Sequence, residues 1–472
     1  MYLSTLLKSC LPMQSCCDIT EEGALVFFKE DFLHNKFNKW LYNFPSMDFD
    51  LYKKIVMKFL CKYHCVSLRS GRIRFNNLKQ FKTQGIYDTS DRLDRTSRNY
   101  FKTDEQALIL RCIDHPGRYW VKGAAGTGKT FVLKMIAKEW LEKHKSDEMT
   151  MLIITYNVAI NNEIDSWITK NVEYDKTKVR VQTFRRLLCH MLHAFSEEVR
   201  LQNENKEDRN IVEFILRNGG VEKYFRSKFT KTQHKYTLLL IDEAQDLSGE
   251  WIKLLQGLLN KNKGAMYVFE DPFQNVRGTE SPQNEHFVPY FLHKVLRNTH
   301  NTFKAYKGCY EQLAIATETK HLSPPTVDHT VFGLEPWYKS ENTKEKLQAS
   351  LLSTVEELLG KGIGYDNIAI ISSGGKDDMV DLVEFLTSKI PICDAKVSNE
   401  KKKEKIKSVI VDSYQKFKGL EAKVLIFYIP IGWTPPYEAI YVSLSRAFCL
   451  PIVLGGRKEI DRIKDLGRND LQ

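Results

Sequence analysis

The chain has no apolar run approaching the roughly 18 residues that cross a membrane, so a transmembrane helix is not expected. A secretory leader is not expected either. The chain opens Met-Tyr-Leu-Ser-Thr, and Pro12 interrupts the weakly apolar stretch from Leu3 to Leu11. The 10 cysteines are scattered apart from adjacent Cys16 and Cys17, which points to free, mostly buried thiols in a reducing compartment. The expected location is cytoplasmic, or nuclear in a eukaryotic cell. Cys61, His64 and Cys65, with Cys10, Cys16 and Cys17 upstream, lack a C-x₂-C pair and match no standard zinc module. No repeat of fixed period appears. Residues 1–100 contain the acidic pair Glu30-Asp31 but no Glu-x-Lys following a strand, so the Mg²⁺-binding set of a PD-(D/E)xK nuclease is missing. An adaptor or nucleic-acid-binding role, or a protein partner, is the expectation for that region.

Hydrophobic residues make up 42% of the chain, enough for packed cores, and the length of 472 residues suits two or three domains. Lys plus Arg (70) exceeds Asp plus Glu (59), a net charge of +11. That excess is compatible with a polyanionic partner and does not by itself require one.

Gly123-Ala124-Ala125-Gly126-Thr127-Gly128-Lys129-Thr130 fits the phosphate-loop pattern G-x-x-x-x-G-K-[ST]. Small residues let successive backbone N–H groups turn inward around a phosphate chain. Lys129 can reach the β- and γ-phosphates, and Thr130 can hold Mg²⁺. Tyr119–Lys122 reads as a buried strand before the loop, and Phe131–Trp140 as a helix after it. The phosphates would then sit at a helix N-terminus. A second signal is the apolar run Leu238–Ile241, which ends in Asp242-Glu243-Ala244-Gln245-Asp246. A buried parallel strand places Asp242 at its C-terminal edge beside the loop, where open α/β sheets bind ligands. Asp242 would hold Mg²⁺ and Glu243 would accept the proton of the attacking water.

Strands are expected at Tyr119–Lys122, Met151–Thr155, Val179–Gln182, Thr237–Ile241 and Met266–Phe269. A second series is Ile368–Ile371, Ser408–Asp412, Val424–Tyr428 and Ile452–Leu454. Helices alternate with both series, the pattern of parallel α/β sheets. Residues 1–100 form an N-terminal region ending in a polar, basic linker, Gln84–Lys102. A first lobe would span 101–290, with a small insertion at about 185–235, and a second lobe 291–472. Glu400–Lys407 reads as a solvated charged run.

The loop and the Asp-Glu-Ala-Gln-Asp strand end together resemble the UvrD/Rep/PcrA branch of superfamily 1 helicases. Further segments follow in that family's order. Thr103-Asp104-Glu105-Gln106 resembles the segment whose Gln reads the adenine edge, here Gln106. Thr155-Tyr156-Asn157 and Thr183-Phe184 resemble the strand-contacting motifs, which implies nucleic-acid contacts at Tyr156, Asn157, Thr183 and Phe184. Gln274 matches the γ-phosphate sensor. Arg297 matches an arginine facing the γ-phosphate. Lys418-Gly419-Leu420-Glu421 resembles a nucleotide-contacting motif with Glu421, and Arg446 in Ser445-Arg446-Ala447 matches an arginine finger.

The resemblance implies two RecA-like P-loop NTPase lobes with parallel sheets, preceded by a small α or α/β domain. It further implies ATP and Mg²⁺ as cofactors and a helicase or translocase on single-stranded DNA moving 3′→5′. Repair, recombination or anti-phage defence are the settings it points to. The alternatives are a non-unwinding ATPase switch within a larger assembly, and RNA in place of DNA. Some positions depart from the family. Leu296 stands where an adenine-stacking aromatic is usual, Ser413 and Gln415 replace Thr and His, and the base-stacking aromatic stretch after Gln274 is shortened to Asn275-Val276-Arg277-Gly278. Phe273 is the candidate substitute for stacking. The large accessory insertion of longer relatives is missing, so the chain resembles the compact branch.

Overall fold

The computed structural model describes residues 66–69, 72–75, 103–111, 115–144, 149–228, 235–274, 287–316, 325–327, 331–395 and 407–468. The Cys61–His64–Cys65 group, the basic linker Gln84–Lys102 and the charged run at 400–406 lie outside them. The chain divides into two compact units, Met1–Gln80 and Phe81–Gln472. In the first, β1 (Val66–Arg69) and β2 (Arg72–Phe75) form an antiparallel hairpin.

The second unit opens with α1 (Asp104–Leu110), β3 (Gly117–Gly123), α2 (Lys129–Lys143), β4 (Met151–Thr155), α3 (Val158–Asn171) and β5 (Val179–Thr183). Four helices follow: α4 (Phe184–Leu192), α5 (Glu197–Glu204), α6 (Asp208–Arg217) and α7 (Gly220–Lys228). The lobe is completed by β6 (Leu238–Ile241), α8 (Gly249–Gly257), β7 (Ala265–Glu270) and β8 (Val288–Leu292). The strand order is β5-β4-β6-β7-β3-β8, parallel throughout. The central strands MLIIT, LLLI and AMYVFE are buried along their whole length. Strands covered on both faces read as continuous apolar runs, which is why they were legible in the sequence.

Alternation along each strand divides the core in two. Leu152, Ile154, Leu239 and Ile241 pack with α4, α6 and α8. Ile153 and Leu240 pack on the other face with Ile109, Leu133 and Ile164 of α1, α2 and α3.

The second sheet begins after a short parallel pair, β9 (Lys294–Val295) and β10 (Thr326–Val327), with α9 (His300–Ala316) between them. Its elements are β11 (Trp337–Ser340), α10 (Lys344–Gly360), β12 (Ile368–Ser372), α11 (Lys376–Thr387), β13 (Ile392–Cys393), β14 (Val409–Ser413), α12 (Tyr414–Phe417), β15 (Ala422–Tyr428), α13 (Tyr437–Leu444), β16 (Ala447–Gly455) and α14 (Arg457–Arg468). The order is β11-β16-β15-β12-β14-β13, again all parallel. Ile371, Leu425 and Phe427 pack on α9, α13 and α14, while Ile370, Val424 and Ile426 pack on α10 and α11. The fold is thus α/β with two parallel sheets, each covered on both faces. No helix among the described residues is long and apolar enough to cross a membrane.

Phe184, the first residue of α4, is fully buried, with its ring 4.7 Å from that of Trp251 and nearly parallel to it. Phe184→Ala is expected to lower the unfolding free energy by about 3–5 kcal/mol, because the cavity would sit in a packed face. Phe184→Leu should cost less. Chemical denaturation measures both.

Candidate nucleotide site between the two lobes

β3 leads into the phosphate loop and α2 leaves it. Gly126 (φ +77°) and Gly128 (φ +88°) take left-handed backbone that L side chains rarely adopt. A Cβ at Gly128 would also lie 2.7 Å from Gln106 Nε2. Gln106 serves the loop directly. Its side-chain Oε1 accepts from Thr103 N–H at 3.3 Å, closing the capping box of α1, and its Nε2 donates to Thr127 O at 3.1 Å. The residue expected to read an adenine edge therefore has both ends of its amide engaged, on the helix cap and on the loop.

Lys129 Nζ donates to Gly123 O (2.8 Å) and Ala124 O (3.0 Å), and lies 3.6 Å from Asp271 Oδ2. Thr130 Oγ1 donates to Asp242 Oδ2 at 2.8 Å, across the end of β6. A hydroxyl and a carboxylate oxygen so placed are the hard donors that Mg²⁺ takes. Beyond Asp242 the backbone kinks sharply. Glu243 (φ +54°) is the one non-glycine with positive φ among the described residues. Strain of that kind costs on the order of 1–3 kcal/mol and clusters at functional sites. The kink is held by Gln245, whose Nε2 donates to Glu243 Oε2 (2.5 Å) and whose Oε1 accepts from Asp271 N–H (3.1 Å).

The second lobe closes over this edge with its own basic groups. Arg446 Nη2 donates to Gln274 Oε1 at 2.6 Å and lies 4.0 Å from Glu243 Oε1. Gln274 Nε2 in turn donates to Asp271 Oδ2 at 2.7 Å. Arg446 Nε is buried without a hydrogen-bond partner among the described residues. A buried, unsatisfied guanidinium donor beside the loop suits an anionic oxygen. Lys418 Nζ donates to Asp246 Oδ1 (2.8 Å) and to Gln274 O (2.9 Å). Arg297 pairs with Glu421 at 3.0 and 3.2 Å, so two residues expected to meet the nucleotide separately meet each other. The next residue, Asn298, donates to Ser445 O and Ala447 O on either side of Arg446.

The electrostatics follow from burial. Desolvation, then the neighbouring Glu243 charge, pushes Asp242 up to about 6. Burial also raises Asp271, against the pull of Lys129. Glu243 is desolvated as well, yet Lys418, Arg446 and Lys129 outweigh that and hold its carboxyl below the usual value. The two adjacent carboxylates are thus driven apart. Asp242 stands beside the hydroxyl of Thr130, and Glu243 is kept ionised as a proton acceptor needs to be.

The strand-contacting residues are placed differently from expectation. Phe184 is buried, so its ring cannot stack on a base. Phe273, the substitute stacking group, is buried 4.3 Å from the Tyr310 ring and is corrected on the same ground. Asn157 caps α3 by accepting from Ala159 N–H, while its Nδ2 donates to Lys418 O at 2.9 Å, across the lobes. Thr183 caps α4 by accepting from Arg186 N–H. Tyr156 remains half-buried, its ring parallel to Trp251 at 6.4 Å. Arg185 is spent on Asp208 and on carbonyls of α5 and the turn after it.

Three residues of the network were not singled out from sequence: Asp271, Lys418 and Tyr441. Lys418 opens the Lys-Gly-Leu-Glu segment, Asp271 lies three residues before Gln274 and Tyr441 five before Arg446, so the signal was adjacency to a motif. What the sequence could not give was their burial.

Gly419 (φ +81°) follows Lys418, and a Cβ there would fall 2.0 Å from Ile160 Cδ1. The lobes therefore meet at a glycine. Lys418→Met would remove the cation paired with buried Asp246. It is expected to destabilise the protein by about 3–5 kcal/mol, and the double variant with Asp246→Leu should recover most of the loss. Thermal unfolding of the single and double variants checks this.

No curated protein sequence matches the chain significantly. A family model described as an AAA domain matches residues 108–278. That stretch, which carries the phosphate loop and Asp242-Glu243, is similar to a P-loop NTPase-type domain seen in UvrD/Rep-like helicases.

Proposed function

We propose that the chain hydrolyses ATP between its two lobes and uses the cycle to move on single-stranded DNA as a helicase or translocase. The observation that carries this reading is the buried bridge Arg446–Gln274–Asp271, which joins the second lobe to the phosphate loop through Lys129. A group from the far lobe completes the site only when the cleft is shut, so closure and hydrolysis are coupled. Thr130 and Asp242 would hold Mg²⁺, which supplies charge compensation to the β- and γ-phosphates when bound. Lys129 binds the same phosphates. Glu243, ionised and fixed by Gln245, takes the proton of the attacking water. Gln274 positions Arg446, whose guanidinium stabilises the charge that develops on the transferred group. Strand binding draws on the net positive charge and on Tyr156 and Arg186, which lie at least partly open to solvent.

A second reading has its own observation. With Phe184 and Phe273 both buried, base stacking is poorly provided for, which favours an ATPase switch that responds to a strand without separating duplexes. Unwinding of a forked duplex distinguishes the two, and stimulation by DNA against RNA identifies the strand.

ATPase rate with and without single-stranded DNA is the direct measurement. Wild type should be stimulated and Lys129→Ala inactive. A wild type silent under both conditions defeats the motor. Arg446→Ala should retain nucleotide binding while turnover falls by about 10³–10⁵. A comparable loss of binding would argue against the arginine-finger role.

A further inference from the structure

Tyr441, in α13 of the second lobe, reaches the phosphate loop itself. Its hydroxyl accepts from Ala125 N–H at 2.8 Å and donates to Asp271 Oδ2 at 3.2 Å. The side chain is fully buried. The rings of Phe273 (6.3 Å) and Tyr306 (5.5 Å) pack edge-on against it, which leaves the hydroxyl one position. Burial, then the Asp271 charge, raises its ionisation well above the ordinary phenol value, so the group stays a neutral O–H.

A phosphate loop works by turning its N–H groups toward phosphate oxygens. The Ala125 N–H has one hydrogen, and a second-lobe hydroxyl accepts it. A phosphate oxygen is the stronger acceptor for the same donor, because charged hydrogen bonds are roughly twice as strong as neutral ones. The hydroxyl and the phosphate chain therefore compete for one N–H. Meanwhile the hydroxyl keeps its hold on Asp271, which is bonded to Gln274 and through it to Arg446. Whatever occupies Ala125 N–H is thus felt four hydrogen bonds away at the guanidinium.

We propose that Tyr441 is a positioning residue through which the second lobe sets the loop's affinity for ATP. It shares the Ala125 N–H with the nucleotide's phosphate chain and relays the exchange to Arg446. The inference rests on the loop being the ATP site.

Tyr441→Phe deletes the hydroxyl and keeps the packed ring. ATP binding by titration calorimetry should tighten about fivefold, the worth of one neutral hydrogen bond removed as competitor. The KM for ATP should fall by a similar factor without a rise in kcat, and the peptide carrying Ala125 should exchange its amide hydrogens faster. Tyr428→Phe, which alters a buried tyrosine on the opposite face of the second sheet, should leave ATP affinity unchanged. Unaltered or weaker ATP binding in Tyr441→Phe overturns the proposal, and so does equal tightening in Tyr428→Phe. A wild type that binds no ATP refutes the nucleotide reading first and the inference with it, a result visible without any variant.

Discussion

Four carboxylates of the first lobe, Asp242, Glu243, Asp246 and Asp271, are buried at one sheet edge. Buried charge is costly unless paired, and that cost organises everything around the cleft. Among the described residues, the first lobe brings a single cation, Lys129, into this group. The remaining compensation comes from the second lobe as Lys418 and Arg446. Closing the lobes is therefore an electrostatic requirement of the first lobe. Three cations against these four carboxylates leave the group one negative charge in excess, and burial, the larger cause, pushes Asp242 and Asp271 upward.

Most of the architecture was legible in the sequence because parallel strands covered on both faces must be continuously apolar. Met151–Thr155 is found with the expected ends, and the other central strands differ by one or two residues, except β16, which runs from Ala447 where Ile452 was expected. In the two six-stranded sheets the strands that escaped notice, β8, β11 and β13, are all sheet edges. An edge strand is open on one side, so its apolar signal is diluted; β8 reads Val-Pro-Tyr-Phe-Leu with two exposed positions, and a proline is tolerated there. The site shows the same division. Lys129, Thr130, Asp242, Glu243, Gln274 and Arg446 converge, because each sits at a strand end or helix start that local pattern fixes. Phe184 misled because motif position indicates a place in the chain, while burial depends on helices folded from distant sequence.

The two halves of the proposed cycle are unequally furnished. The hydrolytic edge has its groups within hydrogen-bonding range and its titrating carboxylates driven to opposite protonation tendencies. On the strand side, several residues first read as contacts serve instead as helix caps, core packing or interlobe bonds. Asn157 illustrates the trade. Its carbonyl caps α3, and its amide grips the backbone of Lys418. In the proposed cycle a strand touching Asn157 would act directly on the same segment that neutralises Asp246. Coupling of strand and nucleotide would then run through shared backbone, a shorter path than one carried by separate loops.

Gly419 has a consequence of a different kind. Ile160 occupies the space a side chain would need, so the smallest residue sets how near the two sheets can come. The hydrogen bonds that Lys418 and Arg446 make across the cleft, to Asp246 and Gln274, span 2.8 and 2.6 Å. A methyl group at this one position would have to displace the Ile160 side chain and would sit on strained backbone. The close approach of the lobes at this point is thus specified by the absence of an atom.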